Sequence, residues 1–549
     1  MGAVAAPRRA RHRLLRVVVA IAALTLNVPG PATSAEPNAA RELHVALTQE
    51  PGTLDPAVGS LAVETDIAQL VFDGLTRYDD RGHQIPDLAE RVPTLQNGGI
   101  SADGRRITYH LVHNARWQDG APVTSDDVAF TFAALRNPQN NIAVSDPYDE
   151  FARVETPDRY TVRIVLKRPW APAIDGFSDR NGGAILPAHL LRGFPNLNHL
   201  DFNAAPIGSG PYKFVAWNRG SNMIFEANPD YFRGPPKIGR IVVSFLANDN
   251  TMMIALRTGE VDLADRLNLS TFTNLGPVSG MLPAVNAQSF WERLTFNTAR
   301  APLDDARLRR ALCFGFDVHE LLAKVAHGVG ALGPTMENPA TPWFNRSLTY
   351  YPFDAERAAA LLEAAGWKLG ADGVRVKDGR RLSITLSFPA GNLTREQTGV
   401  ILQQHWAAIG VETVIKTFPA ATFFAPAANG GPLNGGNFDV ALSALINTTP
   451  DPNGIAVNTI DGIPPHGNNV AFYRNAEVSA LEIEAASTPV FARRKALYDK
   501  IQAIVLRDVP YYVVRWSEIT DERAADLDGI RPPIVGSTFW NVAEWQFTK

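Results

Sequence analysis

Cysteine is almost missing: Cys313 is the only one in 549 residues, so no internal disulfide can form. It lies in an apolar, helix-patterned run, which fits a buried hydrophobe-like residue better than a reactive thiol. Long apolar runs are missing too. Nowhere does the chain reach the ~18 consecutive apolar residues that read as a membrane-spanning helix, so its bulk is expected to be soluble and not membrane-anchored. Positive charge is in short supply: 52 Lys and Arg against 56 Asp and Glu give a net −4. That balance argues against nucleic acid as a partner.

Recognisable catalytic constellations are absent as well. His319-Glu320 begins like a zinc-protease motif, but residue 323 is Ala where the second histidine would have to lie one helical turn on. Glu320 is better read as completing a helix cap begun by Asp317. No G-x-S-x-G occurs, and Gly208-Ser209-Gly210 stands before a strand instead of after one. Gly328-x-Gly330-x-x-Gly333 has the dinucleotide spacing, yet a helix precedes it and Pro334 follows, so the wrong helix end would face a phosphate. The 11 histidines are dispersed without metal-ligand spacing. Asp79-Asp80, Asp126-Asp127 and Asp304-Asp305 are adjacent pairs suited to turns and caps. The expectation is a protein that is not an enzyme, with no catalytic residues, no cofactor and no metal.

What is present begins at the N-terminus. Residues 1–16 hold five arginines and no acid, Val17–Leu26 is a nearly unbroken apolar run, and Thr33-Ser34-Ala35 offers small residues. This is a secretory signal over residues 1–35, cleaved after Ala35. Arg8-Arg9 raises twin-arginine export, but the residues that follow fit that motif poorly, and general secretion is favoured. Losing the leader takes the formal charge from −4 to −9. No cysteine stands just after the cleavage point, so no lipid anchor is expected and the periplasm is the predicted compartment. The remaining chain of about 514 residues exceeds what one core supports, which predicts at least two domains.

Strand and helix patterns alternate along the rest. Ile107–Val112 alternates as a half-buried strand, Asp119-Gly120 turns the chain, and Thr124 with Asp127 forms a capping box before a helix that turns Val128, Phe132 and Leu135 inward. Further strands are predicted at Glu42–Leu47, Tyr160–Leu166, Tyr212–Trp217, Ile241–Phe245, Leu294–Asn297, Leu382–Phe388, Val411–Lys416, Phe438–Leu445 and Tyr511–Trp516. Helices are predicted at Thr65–Leu75, Asn250–Thr258, Asp354–Ala365, Thr394–Ile409 and Phe491–Arg507, with two more starting near Asp305 and Asp317. Residues 137–157 read as an exposed connection. Gly208 and Gly210 are read as supplying backbone conformations closed to other residues. The fold class is α/β with parallel or mixed sheets.

The order Leu88-Ala89-Glu90, Asp103-Gly104, Trp117-x-Asp119-Gly120, Pro122-Val123-Thr124 and Asp127-Val128 resembles the family 5 extracytoplasmic solute-binding proteins, the dipeptide, oligopeptide and nickel receptors of ABC importers. Pro206–Trp217 and Leu294–Gly328 extend the likeness, which runs from about Glu42 to the C-terminus. The resemblance implies a two-lobe periplasmic-binding-protein fold. Lobe I would comprise 42–68, 207–290 and 515–549, an inserted subdomain 69–206, and lobe II 291–514. It implies a monomeric receptor that closes on a peptide or peptide-like solute and hands it to the ABC permease. The alternative is the same role for an oligosaccharide, opine-like compound, metal chelate or haem.

The resemblance also implies where the ligand lies. One wall would be the loop after Leu54-Asp55-Pro56, with Gly59, Ser60, Leu61 and Ala62. The other would be the strand and loop carrying Ala444, Leu445, Ile446, Asn447, Thr448 and Asp451, whose edge could pair with peptide main chain. Peptide receptors place an aspartate shortly before the proline of this second loop. Alignment on Pro452 puts Thr448 there, and alignment on Pro450 puts Ile446 there. A buried ammonium without a counter-charge costs several kcal/mol. The expected ligand therefore has a blocked, modified or absent amine, or an amine met by another carboxylate. Trp291, Trp516 and Trp540 are candidates for stacking on ligand, with core packing as the plainer role.

Overall fold

The computed structural model describes residues 41–548 apart from 60, 143–147, 180–181, 247, 268–272, 274–275, 277 and 448; the side chains of 286–289 and 519 also lie outside the description. A ten-stranded mixed sheet runs through the described chain. Two neighbouring interior members are long strands, Met281–Phe296 and Tyr511–Ala524, paired antiparallel over most of their length. On one side lie Val440–Ile446, Ser383–Pro389 and Glu412–Phe418; on the other lie Leu263–Leu267, Leu43–Leu47, Arg240–Phe245, Asn222–Ala227 and Tyr212–Asn218. The pairing register shifts between Ala287 and Trp291, where the sheet passes from one half of the molecule to the other.

Each half has its own interior. Leu43, Ile67, Trp117, Ile185, Phe225 and Trp545 belong to one buried cluster, and Leu294, Leu312, Ile384, Trp406 and Tyr512 to another. The first cluster takes in the small three-stranded sheet of Arg106–His110, Thr161–Leu166 and Phe151–Asp158 together with the helix Ser125–Leu135. That helix starts where its cap predicts: Thr124 N donates to Asp127 Oδ2 at 2.8 Å, and the other carboxylate oxygen accepts from Ala188 N at 2.9 Å. The cap therefore also fixes the neighbouring turn of helix. No helix among the described residues is long and apolar enough to cross a membrane.

Several expectations change. The connection expected over 137–157 contains the strand Phe151–Asp158, which pairs with one neighbour only, so Pro157 costs no ladder bond on its open side. The short strands expected at Leu294–Asn297 and Tyr511–Trp516 are the ends of the two long strands. The helix expected over Thr65–Leu75 is Ala62–Val71. Neither Gly208 nor Gly210 has a positive φ. They are required by close approach instead, because a Cβ on Gly208 would lie 1.8 Å from the Val71 carbonyl oxygen and one on Gly210 2.5 Å from the Val71 carbonyl carbon. Glu320 does not complete the Asp317 cap; it pairs with Lys324 at 2.5 Å and lies 3.2 Å from His405. Asp317 caps through the His319 N–H alone, at 2.8 Å.

Candidate functional site

The strand Val440–Ile446 ends where Asn447 turns its side chain to its neighbours. Asn447 Nδ2 donates to the Met336 carbonyl at 2.8 Å, and its Oδ1 accepts from Trp291 Nε1 at 3.0 Å. The loop that follows is fixed by Asp451, whose two oxygens accept from Arg494 Nη1 and Nη2 at 2.6 and 2.5 Å. Arg494 and Tyr498, one turn apart on the helix Phe491–Asp508, both donate to the Pro452 carbonyl at 2.8 Å. A sequence rich in proline and short polar residues is thus held in one shape by a neighbouring helix.

This loop meets the first half of the molecule. A Cβ on Gly82 would sit 3.2 Å from Pro450 Cβ. Asp175, closing the short 3-10 turn Ala171–Asp175, accepts a hydrogen bond from the Tyr78 hydroxyl. Between the halves is a cavity of about 200 Å³, walled by Asp175 and Val535 from the first half and by Trp291, Glu337, Asn447 and Asp451 from the second.

Carboxyls dominate the electrostatics of this space. Burial pushes Asp175 up to about 8, the Asp451 charge adds to the rise, and Tyr78, Arg494 and Thr449 oppose it. Burial likewise lifts Glu337 to about 8, reinforced by Glu482 and Asp451 and opposed by Arg494 and Lys495. Glu482, behind the wall, is lifted to about 7 by burial, against a hydrogen bond from Asn458 Nδ2 at 2.6 Å. Burial works against the Arg494 charge, but the adjoining Asp451 carboxylate outweighs it and raises the guanidinium above its ordinary value. Among the described residues no group of three or more His, Cys, Asp or Glu is placed to hold a metal ion.

Of the residues singled out in the sequence, Leu445, Ile446, Asn447 and Asp451 line the cavity, and Thr448 and Ser60 lie outside the described residues. Ala444 lies back in the strand, opposite Glu292, and does not line it. Gly59 lines a separate small crevice with Gln69 and Asp179. Leu61 and Ala62 are the exposed start of a helix, where Glu64 Oε2 accepts from Leu61 N at 2.8 Å. From the first half the cavity is lined by Pro172, Asp175 and Val535. Trp291 lines the cavity, whereas Trp516 is packed beside it at 6.3 Å between ring centroids, and Trp540 is buried elsewhere with its Nε1 on the Arg531 carbonyl. The GxGxxG spacing lies in the turn after the helix Val318–Val325, with Gly328 and Gly330 at positive φ.

Sequence reasoning missed Asp175, Glu337 and Arg494. A signal existed for the first two. Glu337 is the only Asp, Glu, Lys or Arg between Lys324 and Arg346, and Asp175 the only one between Arg168 and Asp179. An isolated charge in a long uncharged stretch is an unusual thing to keep near an interior.

Comparison with known proteins places this arrangement. The family model for bacterial extracellular solute-binding proteins, family 5, matches residues 83–460. The chain is 25% identical over 533 residues to the oligopeptide-binding protein AppA of Bacillus subtilis, covering 94% of this chain and 93% of that one. It is 25% identical over 511 residues to di/tripeptide-binding protein 2 of Pseudomonas aeruginosa, covering 86% and 92%. Among solved structures, NikZ from Campylobacter jejuni in complex with Ni(L-His) superimposes with a TM-score of 0.74 at 26% identity, over 92% of this chain and 99% of that one.

Proposed function

The chain belongs to family 5 of the bacterial extracellular solute-binding proteins, and from that premise we propose that it is the periplasmic receptor of an ABC importer for a small peptide or peptide-like solute. The supporting observation is the space between the halves. At about 200 Å³ it falls below the roughly 300–1,000 Å³ of pockets for drug-sized ligands, which suits a short solute held whole. The relatives named for oligopeptides and di/tripeptides, and a structural neighbour holding a metal–amino-acid complex, fit the same class. The family is one of binding receptors, and no bond-making step is assigned to it.

The reading carries a layout with it. Lobe I consists of 42–68, 207–290 and 515–549, the inserted subdomain of 69–206, and lobe II of 291–514. The register shift in the long strands near Ala287 and Trp291 is where the lobes would hinge. Residues 1–35 direct export and are removed after Ala35, leaving a monomer that meets its permease in the closed, loaded form. Permease selectivity for that form gives transport its direction.

Native mass spectrometry of protein purified under mild conditions tests the proposal. A retained di- or tripeptide is the expected result. Retention of a sugar or haem, with no thermal shift on adding peptides, would overturn the peptide assignment.

A further inference from the structure

Every buried carboxyl around the cleft has a protein partner except one. Asp451 is held by Arg494, Asp175 by the Tyr78 hydroxyl, and Glu482 by Asn458. Glu337 lines the cavity, is 4% exposed, and makes no hydrogen bond or ion pair within the described residues. Its oxygens open onto the cavity, where a ligand can reach them, and a carboxyl kept there without a protein partner calls for a reason. Its two cationic neighbours are engaged elsewhere: Arg494 is bidentate to Asp451, and Lys495 pairs with Asp499 one turn along its own helix.

The segment on either side of Glu337 is held in place, which fixes where its side chain leaves the backbone. The Met336 carbonyl accepts from Asn447 Nδ2 at 2.8 Å. Thr335 Oγ1 donates to Gln502 Oε1 at 3.0 Å, and the Asn338 carbonyl accepts from Thr341 N at 2.9 Å. From the other half, Asp175 reaches the same cavity.

We propose that Glu337, together with Asp175, forms a subsite for a cationic group of the ligand, a protonated amine or a guanidinium. The proposal rests on the receptor reading and narrows it to solutes bearing positive charge. It supplies from a different part of the chain the counter-charge that Thr448 cannot offer. Without ligand, the groups facing Glu337 (Glu482, Asp451, Arg494, Lys495, Tyr498 and Tyr511) and those facing Asp175 (Tyr78, Asp451, Arg494 and Thr449) leave both carboxyls protonated at neutral pH. An entering cation takes the place of those protons, which pass to solvent. Affinity for a cationic ligand accordingly rises with pH up to about 8 and then levels off.

The test uses full-length mature protein, wild type and Glu337→Gln, titrated calorimetrically with trialanine, N-acetyl-trialanine and lysyl-alanine, with Asp175→Asn as a second variant. Wild type is expected to prefer the free-amine peptides over the acetylated one by at least tenfold. Their binding should release protons, seen as a dependence of apparent heat on the ionisation heat of the buffer. Glu337→Gln should lose both the preference and the proton release while still binding N-acetyl-trialanine. Equal binding of free and acetylated peptides by wild type, or a preference that survives in both variants, overturns the subsite and leaves the receptor reading standing. Binding of none of the three peptides by either protein overturns the peptide receptor and the subsite with it.

Discussion

Two clusters of buried carboxylates, one in each half, differ in how completely their oxygens are used. In the first half Asp73 accepts from Ser209 Oγ and from the Tyr231 hydroxyl, both at 2.8 Å. Asp87 accepts from Gly74 N at 3.2 Å and pairs with Arg233. The cluster stitches the glycine-rich turn at 208–210 to the end of the helix Ala62–Val71. In the second half Asp451 is equally engaged, but Glu337 faces the cavity without a protein partner among the described residues. A polar network that consumes all its lone pairs acts as a joint. One that leaves a carboxyl bare at the edge of a cavity waits for something to complete it.

Removing the cation from each cluster is the most forceful way to test that contrast. Arg494→Met leaves Asp451 without its partner and frees the Pro452 turn, with a loss of about 3–5 kcal/mol in urea unfolding. Arg233→Met should cost less, about 2 kcal/mol, because Arg233 is partly solvated and Asp73 retains Ser209 and Tyr231. If Arg233→Met proves the more damaging, the first-half cluster is the more dependent on its cation and the contrast inverts. Gly208→Ala pushes a methyl against the Val71 carbonyl and should cost about 1–3 kcal/mol, readable as a lowered melting temperature without lost peptide binding.

The smallest effect is the most informative. Glu337→Gln should change stability at pH 5 by no more than about 0.5 kcal/mol, since it breaks no protein contact. Its mark lies in the pH profile. The Glu337 carboxyl has an ordinary value of 4.5 and is raised to about 8 by folding, so between those values the folded state keeps a proton that the unfolded state has released. The stability it contributes is complete below pH 4.5 and is lost as pH rises through 8. The variant should therefore lose less stability than wild type between pH 5 and pH 8 in denaturant titrations. Parallel profiles would mean that Glu337 is partnered in solution and that the two clusters are alike.

The parts of the molecule legible in the sequence are those decided within a few residues. The caps at Thr124, Asp305 and Asp317 and the left-handed Gly259 all stand where local hydrogen-bonding chemistry puts them. The strand Val440–Ile446 was visible in its apolar pattern, and the family resemblance pointed to Leu445 and Ile446 at its end. What stayed hidden is decided at long range. Met281–Phe296 is a 16-residue strand because its first part, Met281–Ala287, pairs with Glu518–Ala524, although MLPAVNAQS has no strand pattern of its own. Asp175 and Glu337 are 162 positions apart and line one cavity only because the halves come together. The role of Gly208 depends on a carbonyl at residue 71, which no spacing rule could indicate.

The two long interior strands also fix when folding can finish. The strand Leu43–Leu47 lies beside Leu263–Leu267, whose other edge is covered by Tyr511–Ala524, with Leu263 opposite Arg523. Trp545 completes the same interior. In a chain made from its N-terminus onward, the first half thus keeps an open sheet edge until Thr520–Arg523 are available to cover it. Such an edge is a template for pairing with other chains, and assembly that waits on contacts this distant in sequence is slow. The protein is consequently most exposed to aggregation late in its synthesis, and a truncation of only the final thirty or so residues would strand the first half while leaving the Tyr511–Trp516 pairing of the second intact.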